Sequence, residues 1–212
     1  MIKRNIKTII VTSVVTILPM LAGFLMWDKL PEKMPTHWNF EGQIDGWSDK
    51  YFAVILMPLI MLGFHLVCTF ATSFDPKAQN FNSKVFGMVL WICPILSVLC
   101  STATYAAALG FDVKVEFVMP LFMGILFLII GNYLPKCKQN YTIGIKIPWT
   151  LNDEENWNKT HRFAGILWTV CSLVIIVGAF FRSAVVYTTF VSIAVMVLAP
   201  MVYSYIYYRK RR

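Results

Sequence analysis

The chain has few charged residues, and this scarcity decides its class. Only 14% of its 212 residues are Asp, Glu, Lys or Arg, whereas 58% are hydrophobic. A soluble domain typically has about 25% charged and about 45–50% apolar residues. The composition therefore excludes a soluble globular protein and indicates an integral membrane protein.

Six apolar runs contain no Asp, Glu, Lys or Arg. Each is long enough to cross a hydrocarbon core of about 30 Å, which takes about 20 residues in a helix. Because nothing in the hydrocarbon can pair with exposed backbone groups, each run is expected to be helical. The sequence predicts an all-α membrane protein, a bundle of six transmembrane helices forming a single integral membrane domain over residues 1–212. The predicted spans are residues 9–27, 51–74, 85–109, 117–134, 163–181 and 184–208.

Lysine and arginine are distributed unevenly between the two sides of the predicted membrane. One side carries the basic residues of the N-terminus, of residues 77–84 and 135–162, and of the C-terminus, whereas the other carries only Lys29, Lys33, Lys50, Lys114 and Arg182. Because basic residues near span ends are retained in the cytoplasm, both termini and residues 135–162 are predicted to be cytoplasmic, and residues 28–50 extracellular. The net charge of +8 then reflects topology and contact with the lipid bilayer, and no direct nucleic-acid partner is expected.

Patterns that would indicate catalysis, a cofactor or a metal are missing. The five cysteines show no disulfide or zinc spacing, and there is neither an HExxH pattern nor a nucleophile elbow. The spans also lack the carboxylates that ion-coupled transporters use. We predict a protein that is not an enzyme, without catalytic, cofactor-binding or metal-binding residues.

Two histidine positions keep alternatives open. His65 lies deep within the second span, which makes it a functional candidate, although a neutral imidazole hydrogen-bonded to a neighbouring helix explains it equally well. His37, Glu41 and Asp45 are spaced by four residues and would align as metal ligands on a helix. The prolines and glycines around them argue against a helix, so a hydrogen-bond network within a loop is the alternative.

Residues 28–50, the outer segment, read DKLPEKMPTHWNFEGQIDGWSDK. Pro31 and Pro35 favour extended or turn backbone, and Gly42 and Gly46 supply turns. Trp38, with Phe40 and Trp47, gives the segment an apolar side. We expect a short structured loop that lies back on the helices or on the membrane interface.

Residues 135–162, the inner segment, combine polar residues with Trp149 and Trp157. Residues 141–148 alternate around Gly144, which predicts a short extended piece at the interface. Thr150 and Asp153 form a capping-box pattern, followed by acids in the first turn of a helix that continues into the fifth span. On that helix Trp157 and His161 share a face and can stack.

Two further functions of the inner segment remain open. Its tryptophans and Tyr141 are typical of rings that anchor a protein at the headgroup level. Catalysis by Glu155 and His161 is the weaker alternative, since no nucleophile accompanies them.

Both segments carry a family resemblance. Residues 30–50 resemble the short extracellular module found near the N-terminus of bacterial membrane proteins of the SdpI type. The stretch GNYLPKCKQNYTIGIKIPWTLNDEENWNKTHRFAG, Gly131 to Gly165, is similar to the signature of the SdpI immunity-protein family. One departure is Lys146-Ile147, where the family pattern has Arg-Thr, so the planar guanidinium fork is replaced by a single ammonium group.

The resemblance implies a multi-pass protein of the bacterial plasma membrane that protects the cell from a secreted peptide toxin. In some members such a protein also relays the presence of toxin by holding a cytoplasmic transcriptional repressor at the membrane. The alternative function is a membrane sensor for signal transduction without a protective role, and a membrane-embedded enzyme or transporter is a weaker alternative. The residues that match the outer module are Pro31, Pro35, His37, Trp38 and Gly42. The residues that match the inner signature are Gly144, Pro148, Trp149, Thr150, Leu151, Glu155, Trp157 and His161.

Overall fold

A computed structural model describes residues 2–80 and 83–211 and contains seven α-helices and two strands in the part of the chain that it covers. The elements are α1 (Ile2–Leu25), β1 (Lys33–Trp38), β2 (Ile44–Asp49), α2 (Met57–Ser73), α3 (Ser83–Ala108), α4 (Val115–Tyr133), α5 (Pro148–Leu151), α6 (Glu154–Ala179) and α7 (Val185–Arg209). A π-helical turn, Phe52–Leu56, leads into α2.

Six of these helices are long and apolar enough to cross a membrane, which confirms the predicted number of spans. When the π-helical turn is counted with α2, their bounds agree with the predicted runs to within a few residues, except at the N-terminal ends of α1 and α6. The helix of the first span begins at Ile2, and α6 begins at Glu154. In both cases the polar residues that precede the apolar run are also helical.

The chain divides into two compact units. The first comprises Met1–Phe74 and Phe86–Val115, and the second comprises Asp75–Val85 and Glu116–Arg212. The first unit therefore contains the outer segment, and the second contains the inner segment together with the connection between α2 and α3.

Polar side chains bind helices together within the first unit. The Ser97 hydroxyl of α3 donates to the Thr16 carbonyl of α1 at 2.7 Å, and the Tyr105 hydroxyl donates to the Pro19 carbonyl at 3.0 Å. His65 is 1% exposed, with its Nε2 atom 3.1 Å from Thr12 Oγ1. Such bonds are favourable between apolar helices because the same groups would otherwise lie unpaired in hydrocarbon. The imidazole thus occupies the setting expected of a hydrogen-bonded histidine.

Glycines allow close helix packing within the second unit. A Cβ atom on Gly131 would lie 3.0 Å from the Thr169 backbone nitrogen, and one on Gly165 would lie 2.9 Å from the Gly131 carbonyl oxygen. Helices α4 and α6 therefore approach each other at backbone contact distance, as small residues permit. The Trp168 indole N–H of α6 also donates to the Met196 carbonyl of α7 at 3.0 Å.

Candidate functional site

The outer segment folds as an antiparallel β-hairpin. Lys33 lies opposite Asp49 and Pro35 opposite Trp47, with an irregular register around His37. The turn is built by Asn39, whose Oδ1 atom accepts hydrogen bonds from the backbone N–H groups of Glu41 and Gln43 at 3.0 and 2.9 Å. The sequence indicates a structured loop but not strands, because proline and glycine inside a strand usually argue against that assignment.

One side of the hairpin is anchored to the helices of the first unit. Met34 is fully buried and packs in a cluster with Ala53, Val54 and Tyr105. At the base of the hairpin, the ammonium group of Lys50 lies 2.9 Å from Glu32 Oε1 and 5.1 Å from the centre of the Trp27 ring. Lys50 is only 5% exposed, so the hairpin has a fixed attachment.

The three spaced ligand candidates of the outer segment do not align on a helix. His37 lies in β1 and Asp45 in β2, and His37 Nδ1 is 2.5 Å from Asp45 Oδ1. This pair is part of a loop hydrogen-bond network, the alternative to a metal site. Within residues 2–80 and 83–211, no group of three His, Cys, Asp or Glu side chains that could hold a metal was found.

The remaining outer-module residues support the hairpin in different ways. Gly42 has a φ of +81° in the turn, a conformation that glycine adopts without strain. Pro35 is buried in β1, Trp38 is half-buried at its end, and Pro31 is exposed just before it. These residues therefore shape the loop.

The helix of the inner segment begins later than the capping-box pattern predicts. Asp153 is its N-cap, and its Oδ1 atom accepts from the backbone N–H groups of Glu155 and Asn156 at 2.8 and 3.1 Å. The prediction that Thr150 starts this helix is wrong. Pro148 begins a separate turn, α5, and the extended backbone of Asp153 (φ −137°, ψ 110°) interrupts the helical path.

Thr150 instead forms hydrogen bonds with the backbone of the residues that precede α5. Its fully buried hydroxyl donates to the Ile145 carbonyl at 2.8 Å and accepts from the Ile147 backbone N–H at 3.1 Å. The carbonyl groups of Thr150 and Leu151 both accept from Gln139 Nε2 at 2.9 Å. The threonine of the signature is thus a structural residue of the loop.

Trp157 and His161 form the centre of the inner segment. Their rings stack with centroids 4.1 Å apart and an interplanar angle of 19°, as predicted. Trp157 is fully buried and its indole N–H donates to the Cys137 carbonyl at 2.7 Å. Trp157 is therefore part of a small core and not a ring anchored among headgroups.

Both nitrogens of the His161 ring are engaged. The backbone N–H of Ile145 donates to Nε2 at 3.0 Å, which requires that nitrogen to be unprotonated. Nδ1 then carries the proton and donates to the Trp157 carbonyl at 2.8 Å. His161 is accordingly a neutral structural histidine, which disfavours the catalytic alternative with Glu155.

Gly144 passes directly over this ring pair. Its φ is +115°, and an added Cβ would lie 3.1 Å from Trp157 Cζ2 and closer still to His161 Nε2. A side chain is excluded there by both backbone conformation and space. This requirement explains the glycine of the signature.

Residues 141–144 form bends and not the extended piece predicted over residues 141–148, whereas Ile147 is extended (φ −123°, ψ 157°) just before α5. Asn140 is 1% exposed, and its Oδ1 atom accepts from the backbone N–H groups of Thr142 and Ile143 at 2.9 and 2.7 Å. Its amide donates to the Lys138 and Ile143 carbonyl groups at 2.9 and 3.0 Å. An asparagine that bonds its own backbone in this way imposes a turn, and the local pattern of alternating residues does not override it.

A residue outside the signature completes the site. Asp75, from the α2–α3 connection, is 5% exposed. Its Oδ2 atom accepts from the Tyr141 backbone N–H at 2.8 Å and from the Thr142 hydroxyl at 2.7 Å. Lys77 from the same connection donates to Gln139 Oε1. The sequence analysis did not predict these contacts. The only feature that could have indicated them is that an acidic residue, Asp75, directly follows the second predicted span.

Charged and aromatic residues form a rim on the inner segment. Glu155 Oε1 accepts from the Tyr207 hydroxyl at 2.6 Å and lies 2.9 Å from Lys159 Nζ. Trp149 contacts the ring of Tyr205, with centroids 5.3 Å apart. An adjacent cavity of about 350 Å³ is lined by Pro148, Trp149, Asn152, Asp153, Tyr208 and Arg211.

Cys137 is the buried thiol of this site, 7% exposed. Burial raises the pKa of the thiol to about 11, because the thiolate would be poorly solvated there. Lys146, where the chain departs from the family pattern, is exposed.

The six spans, the anchored hairpin and the folded inner segment define the class of the molecule: a multi-pass α-helical membrane protein with one structured segment in each unit. Two family models match it. The SdpI/YfhL protein family matches residues 136–204, and a domain of unknown function, DUF1648, matches residues 14–62. The two matches fall on the inner segment with the helices after it, and on the outer segment with the helices beside it.

A curated relative matches nearly the whole chain. The Immunity protein SdpI of Bacillus subtilis (strain 168) is 29% identical over 211 residues, which is 98% of this chain and 97% of that protein. No solved structure matches. These similarities confirm the resemblance to the SdpI-type immunity family that the two segments indicate.

Proposed function

We propose that this protein protects a bacterium against a secreted peptide toxin and resides in the plasma membrane. The observation that carries the proposal is the similarity to Immunity protein SdpI, which extends over 98% of this chain and 97% of the relative. Such coverage includes all six spans and both segments, so the relative matches the whole architecture and not one shared motif.

The hydrogen bonds of the two loop histidines do not favour a catalytic role for either one. Both nitrogens of His161 are used in structural hydrogen bonds, and His37 is paired with Asp45. The two histidines belong to different units. A non-enzymatic immunity protein accounts for these engaged groups without requiring a reaction.

The proposal places both termini in the cytoplasm and the hairpin outside. This orientation is supported by the uneven distribution of lysine and arginine and by the contacts between the α2–α3 connection and the inner segment. The α2–α3 connection and the inner segment are both assigned to the cytoplasmic side, and Asp75 and Lys77 bond to the inner segment. Cysteine-accessibility mapping of residues in each segment tests the assignment: labelling of both from the same side would contradict it.

Protection is tested by expressing this chain in bacteria that are sensitive to membrane-active peptides. We expect survival with the unaltered chain and loss of protection with Gly144→Ala, because the added Cβ meets His161 and Trp157. Gly63→Ala is the matched control, since nothing lies within 4 Å of its Cβ position. Unchanged killing across several peptides would contradict an immunity function.

A second function is relay of toxin presence to a cytoplasmic transcriptional repressor. It is favoured by the cavity of about 350 Å³ beside Trp149 and Arg211, which offers an aromatic and charged surface on the inner segment. A relay needs two states that the toxin binds differently. Pull-down with the full chain, with and without toxin, should recover a soluble regulator, and recovery in neither condition would exclude the relay.

A further inference from the structure

The hairpin has one buried and one exposed apolar side. Met34 of β1 is fully buried, whereas Trp47 of β2 is 57% exposed. Phe40 at the turn is 70% exposed and Ile44 36% exposed. Large, exposed apolar side chains within one short hairpin indicate an interaction surface, because water solvates them poorly.

The hairpin that carries these side chains is held in a fixed shape. Its strands pair from Lys33 opposite Asp49 to Trp38 opposite Ile44, and Met34 packs against Ala53 and Val54. The hydroxyl groups of Thr36 and Ser48 are hydrogen-bonded at 2.8 Å. Since the strands and their anchor are already ordered, a ligand would not need to organise the aromatic side chains before binding, which favours affinity.

The charge of the outer segment indicates what binds there. Residues 28–50 contain five acids and three lysines, whereas the whole chain has a net charge of +8. On β2, Asp45 and Asp49 lie on either side of Trp47. Their partners His37 and Lys33 form solvent-exposed pairs, which contribute little free energy. A basic ligand can therefore engage these carboxylates.

Two other occupants fit less well. Anionic lipid headgroups attract clusters of lysine and arginine, and this segment has an excess of acids. A second copy of the chain would bring two segments of the same negative charge together, which costs free energy. Opposite charge and apolar surface together suit a peptide that carries basic residues beside apolar ones.

We propose that Phe40, Ile44 and Trp47, with the flanking Asp45 and Asp49, form the docking surface for a cationic amphipathic peptide. The proposal rests on the proposed immunity function and specifies the chemistry of the toxin class that the protein recognises. Aromatic side chains at the centre of such a surface dominate binding free energy, while the carboxylates set specificity and the rate of encounter.

Binding is measured with the purified full chain in phosphatidylcholine nanodiscs. The probe is a fluorescein-labelled peptide of alternating leucine and lysine, and the comparison peptide has glutamate in place of lysine. We expect the lysine peptide to bind at least about tenfold more tightly. Equal affinity for the two peptides would overturn the proposal.

Trp47→Ser should weaken the lysine peptide about tenfold or more. Phe111→Ser is the matched control, because Phe111 is also highly exposed, at 67%, and lies in the same unit. Equal weakening by both variants would contradict a specific surface. A separate measurement uses nanodiscs that contain brominated phosphatidylglycerol, which quenches tryptophan fluorescence. If part of the quenching disappears in Trp47→Ser, the Trp47 side chain lies in lipid, and this result would also overturn the proposal.

Asp45→Asn combined with Asp49→Asn keeps the shape of the strand and removes its charge. We expect weaker binding of the lysine peptide and a smaller dependence on salt, since screening acts on the removed attraction. In sensitive cells, full protection by Trp47→Ser would refute the docking surface and leave the immunity function standing. Absence of protection by the unaltered chain would refute the immunity function, while the peptide measurements still decide the docking surface.

Discussion

Trp47 of the outer segment and Trp157 of the inner segment lie in opposite environments. Trp47 of the hairpin is 57% exposed, whereas Trp157 of the inner segment is fully buried and hydrogen-bonded. The hairpin is shaped by paired strands and presents side chains. The inner segment is shaped by side chains that bond its own backbone. The contrast indicates a presenting surface in one unit and a small folded core in the other.

The largest effect is expected from Gly144→Ala in the inner segment. The substitution combines a φ of +115° with contact of the new Cβ on the stacked rings, so we expect a loss of at least about 3 kcal/mol in the free energy of unfolding. Chemical denaturation in detergent measures it, with Gly63→Ala as control. A loss below about 1 kcal/mol would show that the inner segment tolerates rearrangement, contrary to a packed core.

Asp75→Ala tests whether the α2–α3 connection supports the inner segment. The variant leaves the Tyr141 backbone N–H and the Thr142 hydroxyl without their acceptor, and we expect a loss of about 2–3 kcal/mol in the free energy of unfolding. Asp112→Ala is the comparison, because Asp112 is exposed. Equal stability of the two variants would refute the supporting role.

The buried Cys137 predicts a pH dependence of stability. Its pKa is about 11 in the folded protein, and its ordinary value is 9.0. The unfolded chain therefore loses this proton first, so stability from this group is complete below about pH 9 and declines toward pH 11, by about 2–3 kcal/mol in total. Denaturation across this range measures the decline, and Cys137→Ala should reduce it. An identical decline in the variant would exclude Cys137 as the cause.

Trp157→Phe and Trp47→Phe compare the two segments directly. Trp157→Phe removes the donor to the Cys137 carbonyl, which is buried, and we expect a loss of about 1–3 kcal/mol. Trp47 is exposed, so its replacement should change the free energy of unfolding by less than about 0.5 kcal/mol. Thermal unfolding of both variants in one detergent gives the difference. A reversed order would remove the contrast between core and presenting surface.

A small effect is also expected from Lys33→Ala in the hairpin. Lys33 and Asp49 form an ion pair of largely exposed side chains, and such pairs contribute about 0–1 kcal/mol. Denaturation at low and high salt should show a small difference that disappears with screening. A large loss would mean that the hairpin depends on this pair and less on the burial of Met34.

The predicted spans agree with the structure because their signal is local. A run without charges must be helical in hydrocarbon whatever its neighbours are, and six such runs gave six helices. The stack of Trp157 on His161 was also predictable, since residues four apart share a helix face. The hairpin was not predictable, because its prolines and glycines argue against strands. The turn at Asn140 was not predictable either, because the alternating residues after it suggest extended backbone.

The sequence by itself determined the membrane class, the number of spans and the two segments that carry the family resemblance. Composition and apolar run length are sufficient for these, because the bilayer imposes the same constraint on every span. Only the tertiary structure decided that Asp75 bonds residues 141 and 142 from 66 and 67 positions away, or that Gly144 must lack a side chain above His161. Such contacts depend on which distant groups folding brings together, and no local pattern records them.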